Sequence, residues 1–170
     1  MINGDFLAKG EPVNNLEEKS FIPIKAEDVM ITKVVILDES VSVKKAAEIM
    51  AQVNMSAIIV TAKGKTKGIL TERDILKRIV AEGKNARKTK VKDIMSSPLV
   101  TIGPKTDLKE AARLMFEKKI KNLPVSYKNR LVGLVNLQDI CRSQPEILRS
   151  LGQLMEPPKN LQKVLRYYII

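Results

Sequence analysis

The sequence predicts a mixed α/β (α+β) fold in which one β-α-β-β-α unit is written twice, and three observations carry that expectation. The first is internal repetition at a single gapless offset of 65 residues. Asp28-Val29-Met30 returns as Asp93-Ile94-Met95, Ala46-Ala47 as Ala111-Ala112, Met50 as Met115, Val60 as Val125, Gly68 as Gly133 and Asp74-Ile75 as Asp139-Ile140. The second is a helical apolar stripe in each copy, and the third is a set of short β-branched runs separated by polar turns.

Within each copy the elements follow one order. Val34 to Leu37 and Leu99 to Ile102 read as a first strand, short and bounded by polar residues. A helix comes next, since Val43, Ala46, Ala47 and Met50 fall at i, i+3, i+4 and i+7, and Leu108, Ala111, Ala112 and Met115 repeat that spacing. Ser42 and Asp107 suit the N-cap, and Glu110 stands where a capping box with Asp107 needs it. A second strand (Ala57 to Thr61, Leu123 to Ser126), a polar turn around 63–65 or 128–130 and a third strand (Gly68 to Leu70, Leu131 to Val135) lead into a second helix. In the first copy that helix runs to about Glu82, where Gly83 supplies a stop signal.

The organisation is therefore an N-terminal arm (1–25), a first domain (26–83), a basic linker (84–90), a second domain (91–144) and a C-terminal helical tail (145–170). The linker reads as a solvated connection. In the tail, Ile147, Leu148, Leu151, Leu154 and Met155 make one stripe, and Leu161, Val164, Leu165 and Tyr168 make another beyond Pro157-Pro158.

Composition narrows the function. With 44% hydrophobic residues in 170, the chain sustains a core. It has no histidine and a single cysteine, Cys141, so the usual nucleophilic triads and dyads, an internal disulfide and a Cys/His zinc site are all unavailable. No catalysis is expected. A carboxylate site for magnesium stays open. Charged residues interrupt the first twenty positions, and the apolar runs are far shorter than the roughly 20 residues of a membrane-spanning helix, so a cytosolic protein is expected. The net charge is +11, and the excess begins at Lys77. Such a basic half suits an anionic partner or a lysine-rich soluble surface.

The third strands end in Gly68-Ile69-Leu70-Thr71-Glu72-Arg73-Asp74 and Gly133-Leu134-Val135-Asn136-Leu137-Gln138-Asp139. Two readings stay open for this motif. Thr71 with Asp74, and Asn136 with Asp139, are capping boxes for the second helices. The same geometry offers helix N–H groups to phosphate, a carboxylate to both hydroxyls of a ribose, and Arg73 as a bidentate anion partner.

The Asp-hydrophobic-Met openings at Asp28 and Asp93, the paired alanines, Leu123-Pro124-Val125 and the Gly-x-x-Thr-x-x-Asp ending together resemble the CBS domain family, named for cystathionine beta-synthase, over about residues 26–141. The resemblance implies two domains packed through their sheets with pseudo-two-fold symmetry. It also implies two clefts that take AMP, ADP, ATP or S-adenosylmethionine as a regulatory ligand, not as a catalytic cofactor. Asp74 and Asp139 then match the ribose carboxylates, and Thr71 the hydroxyl touching ribose or phosphate. The second copy departs from the pattern, with Asn136 for the Ser or Thr and Gln138 for Arg73. Lys121 falls where related nucleotide sensors carry a basic phosphate contact. Adenine is expected near Thr32 and Val34 in one copy and Ser97 and Leu99 in the other, with Ala57, Ile58, Leu123 and Pro124 as apolar walls. Met30, Met50, Met95 and Met115 read as core packing.

The family further implies homodimers, often flat discs of four domains. The expected protein is a stand-alone regulatory module that signals in trans to an enzyme or transporter, and its tighter cleft is the one served by Thr71, Arg73 and Asp74. The alternatives are a nucleic-acid-associated protein using the basic second half and a purely structural dimerisation module.

Overall fold

The computed structural model describes residues 23–147. The expected N-terminal arm up to residue 22, and the tail beyond Ile147, lie outside the described residues. In chain order the elements are α1 (Ala26–Val29), β1 (Ile36–Asp38), α2 (Val43–Val53), β2 (Ala57–Ala62), β3 (Lys65–Thr71), α3 (Glu72–Ile75), α4 (Leu108–Lys118), β4 (Asn122–Tyr127), β5 (Arg130–Asn136) and α5 (Leu137–Ser143). A π-helical turn, Leu76–Val80, continues α3, and a 3₁₀ turn, Val91–Asp93, opens the second copy.

In the first copy β1 runs parallel to β2, and β2 pairs antiparallel with β3. The second copy keeps only the antiparallel pair β4-β5; its expected first strand shrinks to a single bridge between Ile102 and Val125. The cause is local. Glu39 N–H extends β1 by donating to the Thr61 carbonyl at 2.8 Å. The residue 65 places on is Pro104, which has no N–H to donate. Both hairpins turn through two residues at positive φ, Lys63 and Gly64 in one, Lys128 and Asn129 in the other, the backbone that matches strand twist.

The helices carry the predicted stripes inward. Val43, Ala46 and Met50 of α2 and Leu108, Ala111, Ala112 and Met115 of α4 are buried, each set against its own sheet. Ser42 caps α2 by accepting from Lys45 N–H at 3.3 Å. Asp107 caps α4 by accepting from Lys109 N–H at 2.7 Å, one residue earlier than a box requires, so Glu110 is not drawn into one. Gly83, at φ +63, ends the second helical segment of the first copy as expected.

The opening segments change hands. Residues before β1 pack on the second copy: Ala26 is fully buried in the core of Leu108, Ala112 and Leu123, with Val29 and Met30 against it. Reciprocally, Val91 and Ile94 are buried with Val43, Ile58 and Leu70 of the first copy, and Met95 packs there too. Backbone bonds seal each crossing. Ile31 and Leu134 exchange both N–H···O bonds at 2.9 Å, while Ser96 and Ile69 exchange theirs at 2.8 and 3.0 Å. Burying side chains of this kind contributes about 1.5–3 kcal/mol each, so Val91 and Ile94 alone fasten the copies strongly. A third core, with Ala57, Ile59 and Leu134 at its centre and Val34, Ile69 and Leu99 around it, lies between the two sheets.

The linker is built, not loose. Asn85 Oδ1 accepts from Arg87 and Lys88 N–H at 2.9 and 3.3 Å, an Asx-type turn. The carbonyls of Ala86 and Thr89 then accept from Lys44 and Val43 N–H at 2.9 and 3.0 Å. The connection between copies thus satisfies the first turn of α2, which the expectation of a solvated linker did not foresee.

Candidate ligand-binding cleft

The two ends of the repeats open into one cleft of about 1030 Å³, at the upper end of small-molecule sites. Its lining inherits the 65-residue offset. Ile31 and Ser96, Asn54 and Lys119, Ser56 and Lys121, Thr71 and Asn136, and Asp74 and Asp139 are equivalent pairs within it. The lining is thus made of two related halves, alike in backbone and unlike in charge.

Of the residues singled out by sequence, Thr71, Arg73, Asp74, Lys121, Asn136, Asp139 and Ala57 line this cleft. Ile58, Leu123, Pro124, Val34, Leu99, Thr32 and Ser97 are outside its lining. Ile58 and Leu123 face the helix-covered cores, because neighbouring strand residues point to opposite sides of a sheet. Pro124 is buried, and Val34 and Leu99 pack between the sheets. Thr32 is exposed, and so is Ser97, whose hydroxyl donates to the Lys67 carbonyl at 3.0 Å. Ile31 and Ser96, each one residue earlier, take those places because they are the residues that bridge the other copy's third strand.

The helix starts are largely self-satisfied. Glu72 N–H donates to the Ser56 carbonyl, Leu137 N–H to the Lys121 carbonyl, Asp74 N–H to Thr71 Oγ1 and Gln138 N–H to Asn136 Oδ1. The cleft therefore offers an anion chiefly side chains, not free backbone N–H groups. Arg73, Lys119 and Lys121 line it with no ion-pair partner among the described residues. Arg142 adds a fourth cation, 3.8 Å from Asp139 Oδ1. Lys119 is itself the left-handed residue that ends α4, at φ 55.

The two carboxylates live in different surroundings. Asp74 is 8% exposed and fully engaged: Oδ2 accepts from Thr71 N–H at 2.9 Å and from Thr71 Oγ1 at 2.6 Å, while Oδ1 faces Ser96 Oγ at 3.3 Å and Arg78 Nη1 at 3.4 Å. The first motif is a complete capping box. The second is not. Asn136 caps α5 through Gln138 N–H at 2.8 Å and spends its amide on Asn122 Oδ1 at 2.8 Å, a cross-strand pair. Asp139, its side chain 28% exposed, is left outside any box, with Arg142 as its one polar side-chain neighbour among the described residues. An ionised carboxylate offers about four acceptor sites. Those of Asp74 are taken; those of Asp139 are open to a ligand.

Sequence reasoning missed Ile31, Ser96, Lys119, Arg142 and above all Arg78. The signal for the first two was the offset itself, which places Ile31 opposite Ser96. For Arg78 there was none, since its counterpart is Ser143.

The model of the CBS domain matches this chain twice, at residues 26–81 and 91–146. The chain belongs to the CBS domain family. As a CBS pair it is 38% identical over 118 residues to the CBS domain-containing protein YhcV of Bacillus subtilis, covering 69% of this chain and 84% of that one. An uncharacterised conserved protein from Pyrococcus horikoshii superposes with a TM-score of 0.66 at 27% identity, covering 70% of this chain and 90% of that one. A hexameric CBS-CP12 protein from bloom-forming cyanobacteria superposes with a TM-score of 0.67 at 25% identity, covering 78% and 87%. The pair is thus a module of a regulatory family whose members often bind adenosine ligands and form oligomers. Among the described residues no helix is long and apolar enough to cross a membrane.

Proposed function

We infer that this CBS pair is a non-catalytic cytoplasmic sensor of an adenine nucleotide, working through a partner enzyme or transporter in trans. The observation that carries the reading is the doubled cleft, whose lining holds an open carboxylate, Asp139, with Arg142 beside it and Lys119 and Lys121 in the same lining. A ribose offers its two hydroxyls to such a carboxylate, and phosphates match the cations beside it. Ile31 and Leu134 supply apolar surface for a base. The lining holds four cations against three acids, Glu72, Asp74 and Asp139, and Asp74 is already paired. That balance favours AMP, ADP or ATP over S-adenosylmethionine, whose sulfonium brings positive charge to a positive cleft.

On this reading the Asp139 half is the tighter, against the expected order, because Asp139 meets only the largely exposed Arg142 whereas a ligand at Asp74 must displace Ser96 and Arg78 from Oδ1. Homodimerisation fits the exposed apolar residues Leu76, Val80 and Val53 on the first copy's helical side.

A thermal-shift series tests the reading. Ligand at one hundred times its dissociation constant stabilises a protein by about 2.7 kcal/mol, which raises Tm by several degrees in a chain of this size. AMP, ADP and ATP are expected to do so, and S-adenosylmethionine to do so less. No shift with any of the four contradicts it.

A further inference from the structure

Arg78 stands one turn beyond the motif, on the π-helical turn, and reaches two parts of the molecule at once. Its Nη1 donates to the carbonyls of Ile94 and Met95, the latter at 3.1 Å, both on the segment that crosses from the second copy. The same nitrogen lies 3.4 Å from Asp74 Oδ1. Ser96, next along that segment, closes the ring: its hydroxyl faces Asp74 Oδ1 at 3.3 Å, and its backbone exchanges hydrogen bonds with Ile69. Asp74, Arg78, the two carbonyls and Ser96 therefore form one circuit between the cleft and the crossing segment. The second copy has no such circuit, because Ser143 replaces Arg78 and its hydroxyl bonds the Asp139 carbonyl at 2.9 Å instead.

The bonds in the circuit are unequal. Thr71 holds Oδ2 at 2.6 and 2.9 Å, while Ser96 and Arg78 hold Oδ1 only at 3.3 and 3.4 Å, the long limit for such contacts. A ligand hydroxyl arriving at Asp74 takes Oδ1, not Oδ2. We propose that Arg78 is a positioning residue that couples occupancy of the Asp74 half to the crossing segment: a ligand on Oδ1 displaces Ser96 and Arg78 together and loosens the Ser96–Ile69 pairing that joins the two copies. The inference rests on the nucleotide-sensing reading and adds how the sensed event leaves the cleft.

Amide hydrogen exchange at Ser96 and Ile69 reads the circuit directly. In the native protein, excess AMP or ATP is expected to speed exchange at both amides by about tenfold, as local opening permits. In Arg78→Met, which keeps the stem and removes the donors, exchange is fast without nucleotide and no longer responds. Arg78→Lys, with charge but no planar fork, falls between them, and Asp74→Asn loses the response. The Ser126 amide, bonded to the Ile102 carbonyl in the second copy, keeps its native rate throughout. Unchanged or slowed Ser96 exchange on nucleotide binding, a native-like response in Arg78→Met, or acceleration at Ser126 as well would each overturn the coupling. Calorimetry on the same samples separates the causes: an absence of nucleotide binding removes the functional reading and the trigger with it, whereas binding without the exchange response removes the coupling alone.

Discussion

Replacing Gly68 with alanine is expected to destabilise the protein by about 1–3 kcal/mol, the cost of forcing atoms into a packed site. A Cβ there would meet the Ser96 carbonyl oxygen at 2.5 Å and Met95 Sδ at 3.0 Å. The oxygen belongs to the backbone that pairs with Ile69, so relief requires the crossing segment to move away from β3. Gly133→Ala meets mainly the flexible Met30 side chain, at 2.6 and 2.9 Å, with the Ile31 carbonyl at 3.0 Å, and costs less. Gly103→Ala, with its nearest neighbour at 3.8 Å, is expected to be close to neutral. Denaturant unfolding of the three variants measures the order. Equal losses at Gly68 and Gly103 would contradict the crossing as the reason for the repeated glycine.

The second large effect separates two residues that the repeat makes look alike. Asp74→Asn removes a buried charge that receives Thr71, Ser96 and Arg78, and is expected to cost about 1.5–3 kcal/mol of stability, the scale of hydrogen bonds to charged groups. Asp139→Asn loses only a contact with the largely exposed Arg142 at 3.8 Å, so its stability stays within about 0.5 kcal/mol of native. Binding is expected to show the opposite order. Trading charged for neutral hydrogen bonds at the open carboxylate weakens the high-affinity nucleotide phase by about tenfold in Asp139→Asn. Paired melting and titration experiments check both halves of the claim, and a stable Asp74→Asn that has lost all binding would contradict it.

Much of this architecture was legible because it is written in local periodicity. The stripe from Val43 to Met50 and the cap at Ser42 place α2 correctly, and the offset carries α4, both hairpins and both motifs after it. What the repeat cannot convey is which copy a segment packs against. Asp28-Val29-Met30 and Asp93-Ile94-Met95 look like openings of their own domains, yet Val29 and Met30 pack against the second copy's core and Ile94 and Met95 against the first copy's, a choice made by tertiary packing. Paired glycines inside strands were the available clue, since such residues mark close backbone approach. The lost strand near Ile102 was visible in Pro104, once that residue is compared with Glu39.

The site was legible in position and not in state. Both motifs reach the cleft, but the unequal freedom of Asp74 and Asp139 was only partly written in them: Thr71 against Asn136 belongs to the motif, whereas Arg78, Ser96 and Asn122 do not. Thr32 and Ser97 fall one residue beyond the cleft lining for the same reason: the bridging residue on a crossing segment, Ile31 or Ser96, is set by its partner strand, not by its own sequence.

Calorimetric titration of the native chain with ATP and with S-adenosylmethionine tests the central claim most directly. The account predicts saturable heat with ATP, a high-affinity phase carried by the Asp139 half, and weaker binding of S-adenosylmethionine to a cleft lined by Arg73, Lys119, Lys121 and Arg142. No heat from ATP, or tighter binding of S-adenosylmethionine, would contradict it.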